Sequence, residues 1–375
     1  MKKTIKDFNL ENKRVIIRVD FNVPIKDGVI QDDTRIKESL ETINYVINNK
    51  GKVILLSHLG RVKEEKDKTK YTLSPIVERL SYLLNKPVTF ISDLDFENIK
   101  KDMEYVKDKD IILLENTRFY DLDNKLESNN SKVLATFYAS LGDIFINDAF
   151  GTIHRSHASN AGIASILPSG IGFLVEKELN KLSYLNNPLR PYIVILGGSK
   201  VSDKIGVIEE LVKKCDLLII GGAMANTFLK AKGIDIGKSL VEDDYIDFCI
   251  DILNKYEDKI ILPIDTKVSD DMILDLGDNT ISLIKDKLRD AKTVFWNGPL
   301  GFYEVETYMK ATKEILTFLV EKNIKTILGG GDIVAASSML NLKEKVYHAS
   351  TGGGATLEYL EGKELPGLKT IQDKE

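Results

Sequence analysis

The stretch Val15–Pro24 reads VIIRVDFNVP and joins a strand to the polar turn that follows it. Its first residues, Val15–Val19, are mostly apolar and β-branched, which predicts a short buried strand. Similar runs, each followed by a turn and a helical pattern, recur along the first half of the chain: Val53–Leu56, Val88–Ile91, Ile111–Leu114 and Ile144–Ile146. Runs that are apolar on both faces and separated by helices predict a parallel sheet flanked by helices.

The second half of the chain repeats this pattern. Its strand-like runs are Tyr192–Leu196, Leu217–Ile220, Ile260–Leu262, Val294–Trp296, Thr326–Leu328 and Val346–Tyr347. Between the halves, the stretch Gly172–Pro191 shows a helical pattern that closes before Pro188, because the residue preceding a proline avoids the α region. Its apolar side chains share one helical face: Val175, Leu179, Leu182 and Leu185.

These patterns predict an α/β protein with two doubly wound, parallel-sheet (Rossmann-like) domains. We expect an N-terminal domain at residues 1–171, an interdomain helix and hinge at 172–191, and a second domain at 192–361. The charged stretch Val62–Tyr71 has no periodicity and is expected to be a solvated loop.

Composition excludes several classes of protein. The chain has 375 residues, of which 43% are apolar and 29% charged, as in ordinary globular proteins. A net charge of −5 argues against a general nucleic-acid or acidic-membrane binder. No run approaches the roughly 18 apolar residues of a membrane span, and no apolar segment follows Met1-Lys2-Lys3, so we expect a cytoplasmic protein. Cys215 and Cys249 lack metal-site spacing and are expected to be buried hydrophobes.

Arginine and histidine follow the predicted strands of the first half. Ligands bind beyond the carboxyl ends of parallel strands, so these turns are the candidate site. They carry Arg35, Arg61, Arg118 and Arg155, with His58, His154 and His157. Because clustered guanidinium groups repel one another unless an anion joins them, the set predicts a small, doubly anionic ligand whose hydroxyl Asp20 and Asn22 orient. Two alternatives are isolated surface ion pairs and a zinc site at His154 and His157.

The turns after the strands of the second half are rich in glycine. They read GGSK, GGA, NGPLG, GGGD and TGGG, and begin at Gly197, Gly221, Asn297, Gly329 and Thr351. Glycine admits close approach of backbone N–H groups, and the following helix directs its positive end there. Lys200 and Lys204 are four residues apart and can face the same phosphates, and Asp332 stands at the start of a helix, where it can bind magnesium. Together with these residues, the glycine-rich turns predict a binding site for a polyphosphate nucleotide and its magnesium. Neither a Walker motif nor a dinucleotide fingerprint is present, since Val334 replaces the third glycine.

Ten segments resemble the phosphoglycerate kinase family in sequence and in order. They are RVDFNVP, DDTRI, SHLGR, LLENTRF, NDAFGTIHRSHAS, LGGSKVSDKI, GGAMANTF, VFWNGPLG, GGGDI and HASTGGGATLE, and they extend from residue 18 to residue 358. The resemblance implies reversible phosphoryl transfer between ATP and the carboxylate of 3-phosphoglycerate, with Mg²⁺, by a monomer that closes at a hinge. It also implies that the C-terminal tail, residues 362–375, returns to the N-terminal domain.

The resemblance further implies the roles of individual residues. For 3-phosphoglycerate it implies Asp20, Phe21, Asn22, Arg35, His58, Leu59, Gly60, Arg61, Arg118 and Arg155. For the nucleotide it implies Lys200, Lys204, Gly277, Asn297, Glu304, Gly330, Gly331, Asp332 and Ile333, with Asp332 reaching Mg²⁺. Arg35 and Lys200 are the expected catalytic pair.

The chain departs from the family pattern at three positions: Val62 stands for proline, Ile333 for Ser or Thr, and Ala223 for glycine. The alternatives to this function are an NAD-dependent dehydrogenase and a non-catalytic, two-lobed anion binder.

Overall fold

A computed structural model describes residues 1–107 and 110–374, and these form two compact units. Unit 1 contains Met1–Leu179 and Glu364–Glu375, and unit 2 contains Asn180–Lys363. The last residue of the tail considered above, Glu375, lies outside the described part of the chain.

Unit 1 is built on a six-stranded parallel sheet. Its strands are β1 (Arg14–Arg18), β4 (Lys52–Leu56), β5 (Thr89–Ile91), β6 (Ile111–Leu114), β7 (Ile144–Asn147) and β8 (Ser169–Ile171); β2 (Ile25–Lys26) and β3 (Val29–Ile30) form a separate hairpin. Its helices are α1 (Thr34–Asn48), α2 (Asp67–Tyr71), α3 (Ser74–Leu84), α4 (Phe96–Met103) and α5 (Lys132–Ser140). The sheet order is β5-β6-β4-β1-β7-β8, so the buried strand β1 lies near the centre.

Unit 2 has a second six-stranded parallel sheet. Helix α6 (Phe173–Ser183) leads into it, and the strands are β9 (Tyr192–Leu196), β10 (Leu217–Ile220), β11 (Ile260–Ile261), β14 (Thr293–Asn297), β15 (Lys325–Gly329) and β16 (His348–Ser350). Strands β12 (Thr266–Ser269) and β13 (Met272–Leu276) form a hairpin. The remaining helices are α7 (Ile205–Lys214), α8 (Met224–Ala231), α9 (Ile246–Lys255), α10 (Asp278–Leu288), α11 (Lys310–Glu321), α12 (Gly331–Met339) and α13 (Gly354–Leu360).

The order of the unit 2 sheet, β11-β10-β9-β14-β15-β16, is that of dinucleotide-binding folds. The strand order reverses between β9 and β14, and in such sheets a ligand crevice opens beyond the carboxyl ends of the two strands at that point. The turns beginning at Gly197 and Gly298 follow these strands directly.

The C-terminal tail joins unit 1. It contains helix α14 (Pro366–Lys369) and runs beside the N-terminal residues, where the Lys3 amide donates to the Gln372 carbonyl at 2.8 Å. The Gly367 amide donates to Ile153 O at 2.8 Å. The tail therefore supports the segment that leads to His154 and Arg155.

Three local predictions differ from the structure. The last strand is His348–Ser350 rather than Val346–Tyr347, because the Tyr347 ring lies beneath the ammonium groups of Lys181 and Lys325, at 3.8 and 4.2 Å, instead of in the sheet. The charged stretch before Thr72 contains helix α2, at whose start the Asp67 carboxylate accepts from backbone amides. Leu179 is only half-buried on α6.

Candidate active site

Asp20 and Arg35 meet beyond the end of strand β1. Arg35 lies in the first turn of α1, and its guanidinium binds the Asp20 carboxylate at 2.7 Å. Asp20 is buried, whereas the Arg35 side chain is about a third exposed. Arg35 is thus held at the surface of unit 1 by one carboxylate, and its remaining donors are available to a ligand.

The loop Ser57–Arg61 after β4 is fixed by two asparagine side chains. Asn116 accepts from the Leu59 amide at 3.2 Å and donates to the Leu59 and Tyr71 carbonyls, each at 2.8 Å. Asn22 accepts from the Gly60 amide at 2.9 Å. Gly60 has φ +62°, and a Cβ there would lie 2.2 Å from the Tyr71 ring. The loop therefore needs glycine at this position, for both its backbone conformation and its close contact with helix α2.

Phe21 and Leu59 belong to the core of unit 1. The Phe21 amide donates its hydrogen bond within the protein, to Ser57 Oγ at 2.8 Å. Because their side chains pack in the core, these two residues can shape the site only through their backbone, and their role in binding the substrate stays a prediction.

Three arginines of the predicted set form no ion pair with a carboxylate in the described ranges 1–107 and 110–374. They are Arg61, Arg118 and Arg155. Arg61 and Arg155 are exposed, and Arg118, which donates to the Gly60 carbonyl, is partly buried. Burial and the nearby charges of Arg155 and Arg18 lower the pKa of Arg118. Such mutual destabilisation is relieved when an anion binds.

Lowered pKa values favour the neutral form of the three histidines of unit 1 near pH 7. Burial, with Arg18, Arg118 and Arg35 nearby, lowers the pKa of His58 well below its usual value. Burial and neighbouring arginines lower the pKa of His154 to about 4 and that of His157 to about 3. Nowhere in residues 1–107 and 110–374 do three or more His, Cys, Asp or Glu side chains form a metal-binding group, so a zinc site at His154 and His157 is unsupported.

Sequence reasoning missed three buried residues behind this surface. Arg18, Glu127 and Ser159 are each 0% exposed and are linked by hydrogen bonds to His58. One signal was available for Arg18, because a charged side chain inside an otherwise apolar strand needs a partner. Nothing in the local sequence pointed to Glu127.

In unit 2, the Lys204 side chain lies beside the glycine-rich turn that follows strand β9. Lys204 Nζ would be 2.8 Å from a Cβ on Gly198, whose φ is +93°. Burial lowers the pKa of Lys204, against the opposing effect of Asp203 and Asp332. Lys200 is exposed. Burial raises the pKa of Glu242, but hydrogen bonds from Ser202 and Val201, together with the charge of Lys200, lower it further, so that it lies below its usual value. Glu242, which sequence reasoning also missed, accepts from the Val201 amide at 2.6 Å and fixes this turn.

The start of helix α12 presents backbone groups and one carboxylate. Gly330 adopts φ +112°. Asn297, the last residue of strand β14, donates to the Gly329 carbonyl. Asp332 is exposed, whereas Ile333 is 0% exposed and packs in the core of unit 2. Ile333 can therefore serve a ligand only through its backbone amide.

A cavity of about 270 Å³ lies beyond the strand-order reversal. Most of its lining is apolar and includes Leu229, Leu274 and Phe302. It brings Glu304 and Asp332 together with Ala223. Other predicted nucleotide residues do not line it; Gly277 caps α10, where a Cβ would lie 2.2 Å from the Asp265 carboxyl. A flat apolar group fits this cavity, with polar groups at its mouth.

Comparison with known proteins shows the family of this chain. The family model described as phosphoglycerate kinase matches residues 5–363. The chain belongs to the phosphoglycerate kinase family. It is 52% identical to a phosphoglycerate kinase of Lacticaseibacillus casei, with 100% of both chains covered. A phosphoglycerate kinase structure from Coxiella burnetii matches with a TM-score of 0.87 and 39% identity, covering 99% of this chain and 98% of that one. One from Pyrococcus horikoshii OT3 matches with a TM-score of 0.86 and 32% identity, covering 98% of each.

Family membership confirms the predicted fold class and the assignment as a glycolytic kinase that transfers a phosphoryl group. Nothing in the comparisons supports a dehydrogenase or a non-catalytic binder. Among the described residues, no helix is long and apolar enough to cross a membrane.

Proposed function

We propose that the arginine-bearing loops of unit 1 bind 3-phosphoglycerate and that the glycine-rich turns of unit 2 bind ATP or ADP. The observation that carries the first assignment is the group of three guanidinium side chains without carboxylate partners in the described chain, Arg61, Arg118 and Arg155. These bind the phosphate of the ligand together with His58, and Arg35 binds its carboxylate. Asp20 and Asn22 hold its hydroxyl group.

In unit 2 the apolar cavity takes the base of the nucleotide, and Glu304 at its mouth takes the ribose. The amides at Gly330, Gly331 and Ile333 face the phosphates at the N-terminus of α12, where the helix dipole favours negative charge. Lys204 adds a cation beside Gly198.

Magnesium accompanies the nucleotide as part of this substrate. Mg²⁺ keeps several water ligands and takes few carboxylates from a protein. One exposed carboxylate, Asp332, fits that requirement, and no larger acidic cluster exists in residues 1–107 and 110–374. The ion supplies charge neutralisation between the phosphates.

The reaction needs no general base, because the attacking carboxylate of 3-phosphoglycerate is already ionised at neutral pH. Catalysis then depends on alignment and on positive charge around the transferring phosphoryl group. Arg35 in unit 1 and Lys200 in unit 2 supply that charge. Because both are exposed to some degree in the described structure, we propose that closure about the 172–191 helix and hinge brings them to the substrates and excludes water.

The protein acts as a cytoplasmic monomer on small molecules and binds neither nucleic acid nor membranes. Its net charge of −5 supports the absence of binding to nucleic acid and to acidic membranes.

The function is tested by an initial-rate assay in which ATP, Mg²⁺ and 3-phosphoglycerate are coupled to an NADH-consuming dehydrogenase. Oxidation of NADH should require all three reactants. Lys200→Ala should lower kcat roughly a hundredfold, because a cation aimed at the transferring group is lost. Lys214→Ala, at an exposed lysine that ends helix α7, is the matched control and should retain full activity. Activity that persists without 3-phosphoglycerate would contradict the acceptor assignment.

A further inference from the structure

Arg18 is the one arginine near the candidate acceptor site whose side chain is 0% exposed. Each of its three nitrogens donates to a protein atom: Nε to Ser159 Oγ at 2.8 Å, one terminal nitrogen to the Val19 carbonyl, and the other to His58 Nδ1 at 3.2 Å. A guanidinium group sealed in this way cannot contact a ligand. Arg18 must therefore act on the site through the groups that it touches.

Ser159 links Arg18 to a buried carboxylate. Its hydroxyl accepts from Arg18 and donates to Glu127 Oε1, and its amide donates to Glu127 Oε2 at 3.0 Å. Glu127 is 0% exposed. Since an uncompensated charge is costly to bury, the carboxylate and the guanidinium stabilise each other's charged forms across the serine. Burial raises the pKa of Glu127, and the charge of Arg18 opposes that rise.

The hydrogen bond from Arg18 fixes the chemistry of His58. Arginine is only a donor, so His58 Nδ1 must accept, and the single proton of a neutral ring then lies on Nε2. Nε2 is on the side of the ring away from Arg18. His58 can therefore offer an N–H donor to an anion without itself carrying a charge.

We propose that Glu127, acting through Ser159 and Arg18, is a positioning residue that holds His58 in the tautomer with its proton on Nε2. The tautomer matters because the alternative, with the proton on Nδ1, would present a lone pair to the negative ligand and repel it. Histidine tautomers at functional sites are commonly set by the partner of the opposite nitrogen. The role of His58 as a donor to the phosphate rests on the proposed function, whereas its tautomer does not.

The tautomer is measured directly by ¹⁵N NMR of the full-length protein labelled at histidine, without substrates. The His58→Gln variant assigns the His58 signals by their loss. We expect a pyridine-type Nδ1 and a pyrrole-type Nε2 in the wild type. Glu127→Gln removes the carboxylate charge and Ser159→Ala removes the linking hydroxyl; each should shift the His58 pattern towards a mixture of forms. Glu97→Gln, an exposed carboxylate on α4, is the matched control and should leave it unchanged.

A double-mutant cycle in the coupled assay tests the link to binding. Glu127→Gln should raise the KM for 3-phosphoglycerate roughly tenfold, the effect of one lost charge-assisted hydrogen bond. In a His58→Gln background, where the amide donor has no tautomers, the same change should have little further effect on KM. Effects that multiply independently would show that Glu127 does not act through His58.

Two other results would overturn the proposal: a wild-type His58 protonated on Nδ1, or variants that leave the ¹⁵N pattern of His58 unaltered. If Glu127→Gln fails to fold, the wild-type spectrum and Ser159→Ala still decide. A protein with the expected tautomer but no 3-phosphoglycerate-dependent activity would refute the proposed function while leaving the positioning role of Glu127 intact.

Discussion

Asp148 caps the helix that leads out of unit 1, and replacing it with asparagine should change how stability depends on pH. It follows strand β7 and is 0% exposed. Its Oδ1 accepts from the Leu174 amide at 2.9 Å and the Val175 amide at 3.4 Å, in the first turn of α6. Burial raises the pKa of Asp148 to about 7, although hydrogen bonds from Thr42, Val175 and Leu174 oppose the rise.

The sign of the effect follows from proton binding. Between the ordinary pKa of 3.8 and the folded value of about 7, the folded protein keeps the proton of Asp148 and the unfolded chain loses it. Stability from this group is therefore present at low pH and is lost as pH rises towards the folded pKa. From about pH 5 to about pH 7 this removes about 2 kcal/mol from the free energy of unfolding, at up to about 1.4 kcal/mol for each pH unit, and the loss levels off above the folded pKa.

Asp148→Asn lacks this titration but keeps an oxygen that can accept from the same amides. The free energy of unfolding of the variant minus that of the wild type should therefore increase by about 3 kcal/mol from about pH 5 to about pH 8. This difference is measured by urea unfolding followed by far-ultraviolet circular dichroism. Circular dichroism is used instead of tryptophan fluorescence because the single tryptophan, Trp296, lies in unit 2 and does not report on unit 1 directly. Asp102→Asn, at an exposed carboxylate of α4, is the control. A difference that stays constant with pH would refute the reasoning.

The remaining predictions concern the acceptor site. Arg35→Ala should lower kcat roughly a hundredfold in the coupled assay, because a cation beside the reacting carboxylate is lost. Arg14→Ala is its control, because Arg14 begins strand β1, at the end away from the candidate site. A full kcat in Arg35→Ala would show that Arg35 has no role in catalysis. Arg61→Ala should mainly raise the KM for 3-phosphoglycerate, since an exposed phosphate ligand is lost; an unchanged KM would show that Arg61 does not bind the phosphate. Gly60→Ala should lower the free energy of unfolding in urea by about 1–3 kcal/mol, because the residue has φ +62° and its new Cβ would lie 2.2 Å from the Tyr71 ring. Gly28→Ala is the control, because Gly28 also has a positive φ but a Cβ there would have no atom within 4 Å, so this variant reports backbone strain alone. Equal losses of stability in the two variants would argue against the contact with Tyr71.

The strands that sequence predicted best are those whose apolar side chains coincide with their backbone pairing. Tyr192–Leu196 is buried at every position, and its predicted and observed bounds agree. Strand β8 (Ser169–Ile171) went unpredicted because serine and glycine give no apolar run. Glycine is needed at its centre, since a Cβ on Gly170 would lie 2.8 Å from the Phe8 ring. That requirement comes from a residue far away in the chain, which local periodicity cannot reveal.

The same limit applies to the candidate site. Arg35, Arg61 and Arg118 follow strands or start a helix, so the rule about carboxyl ends finds them. Glu127 lies in a connection between elements, and its importance depends on Ser159, 32 residues away, and on Arg18 in β1. A buried charge is recognisable only when its partner is known. Sequence therefore indicates which side chains reach the ligand more readily than which ones hold them there.

The charges of unit 1 indicate why its arginines divide into two kinds. Arg18 is balanced by Glu127 across Ser159, and Arg35 pairs with Asp20, so these two are held in place before any ligand arrives. Arg61, Arg118 and Arg155 have no such carboxylate in residues 1–107 and 110–374. A ligand with one phosphate and one carboxylate brings roughly three negative charges at neutral pH. Its phosphate therefore offsets most of the charge of Arg61, Arg118 and Arg155, and its carboxylate pairs with Arg35, whereas a ligand with a single charge would leave more of the repulsion between the three arginines in place.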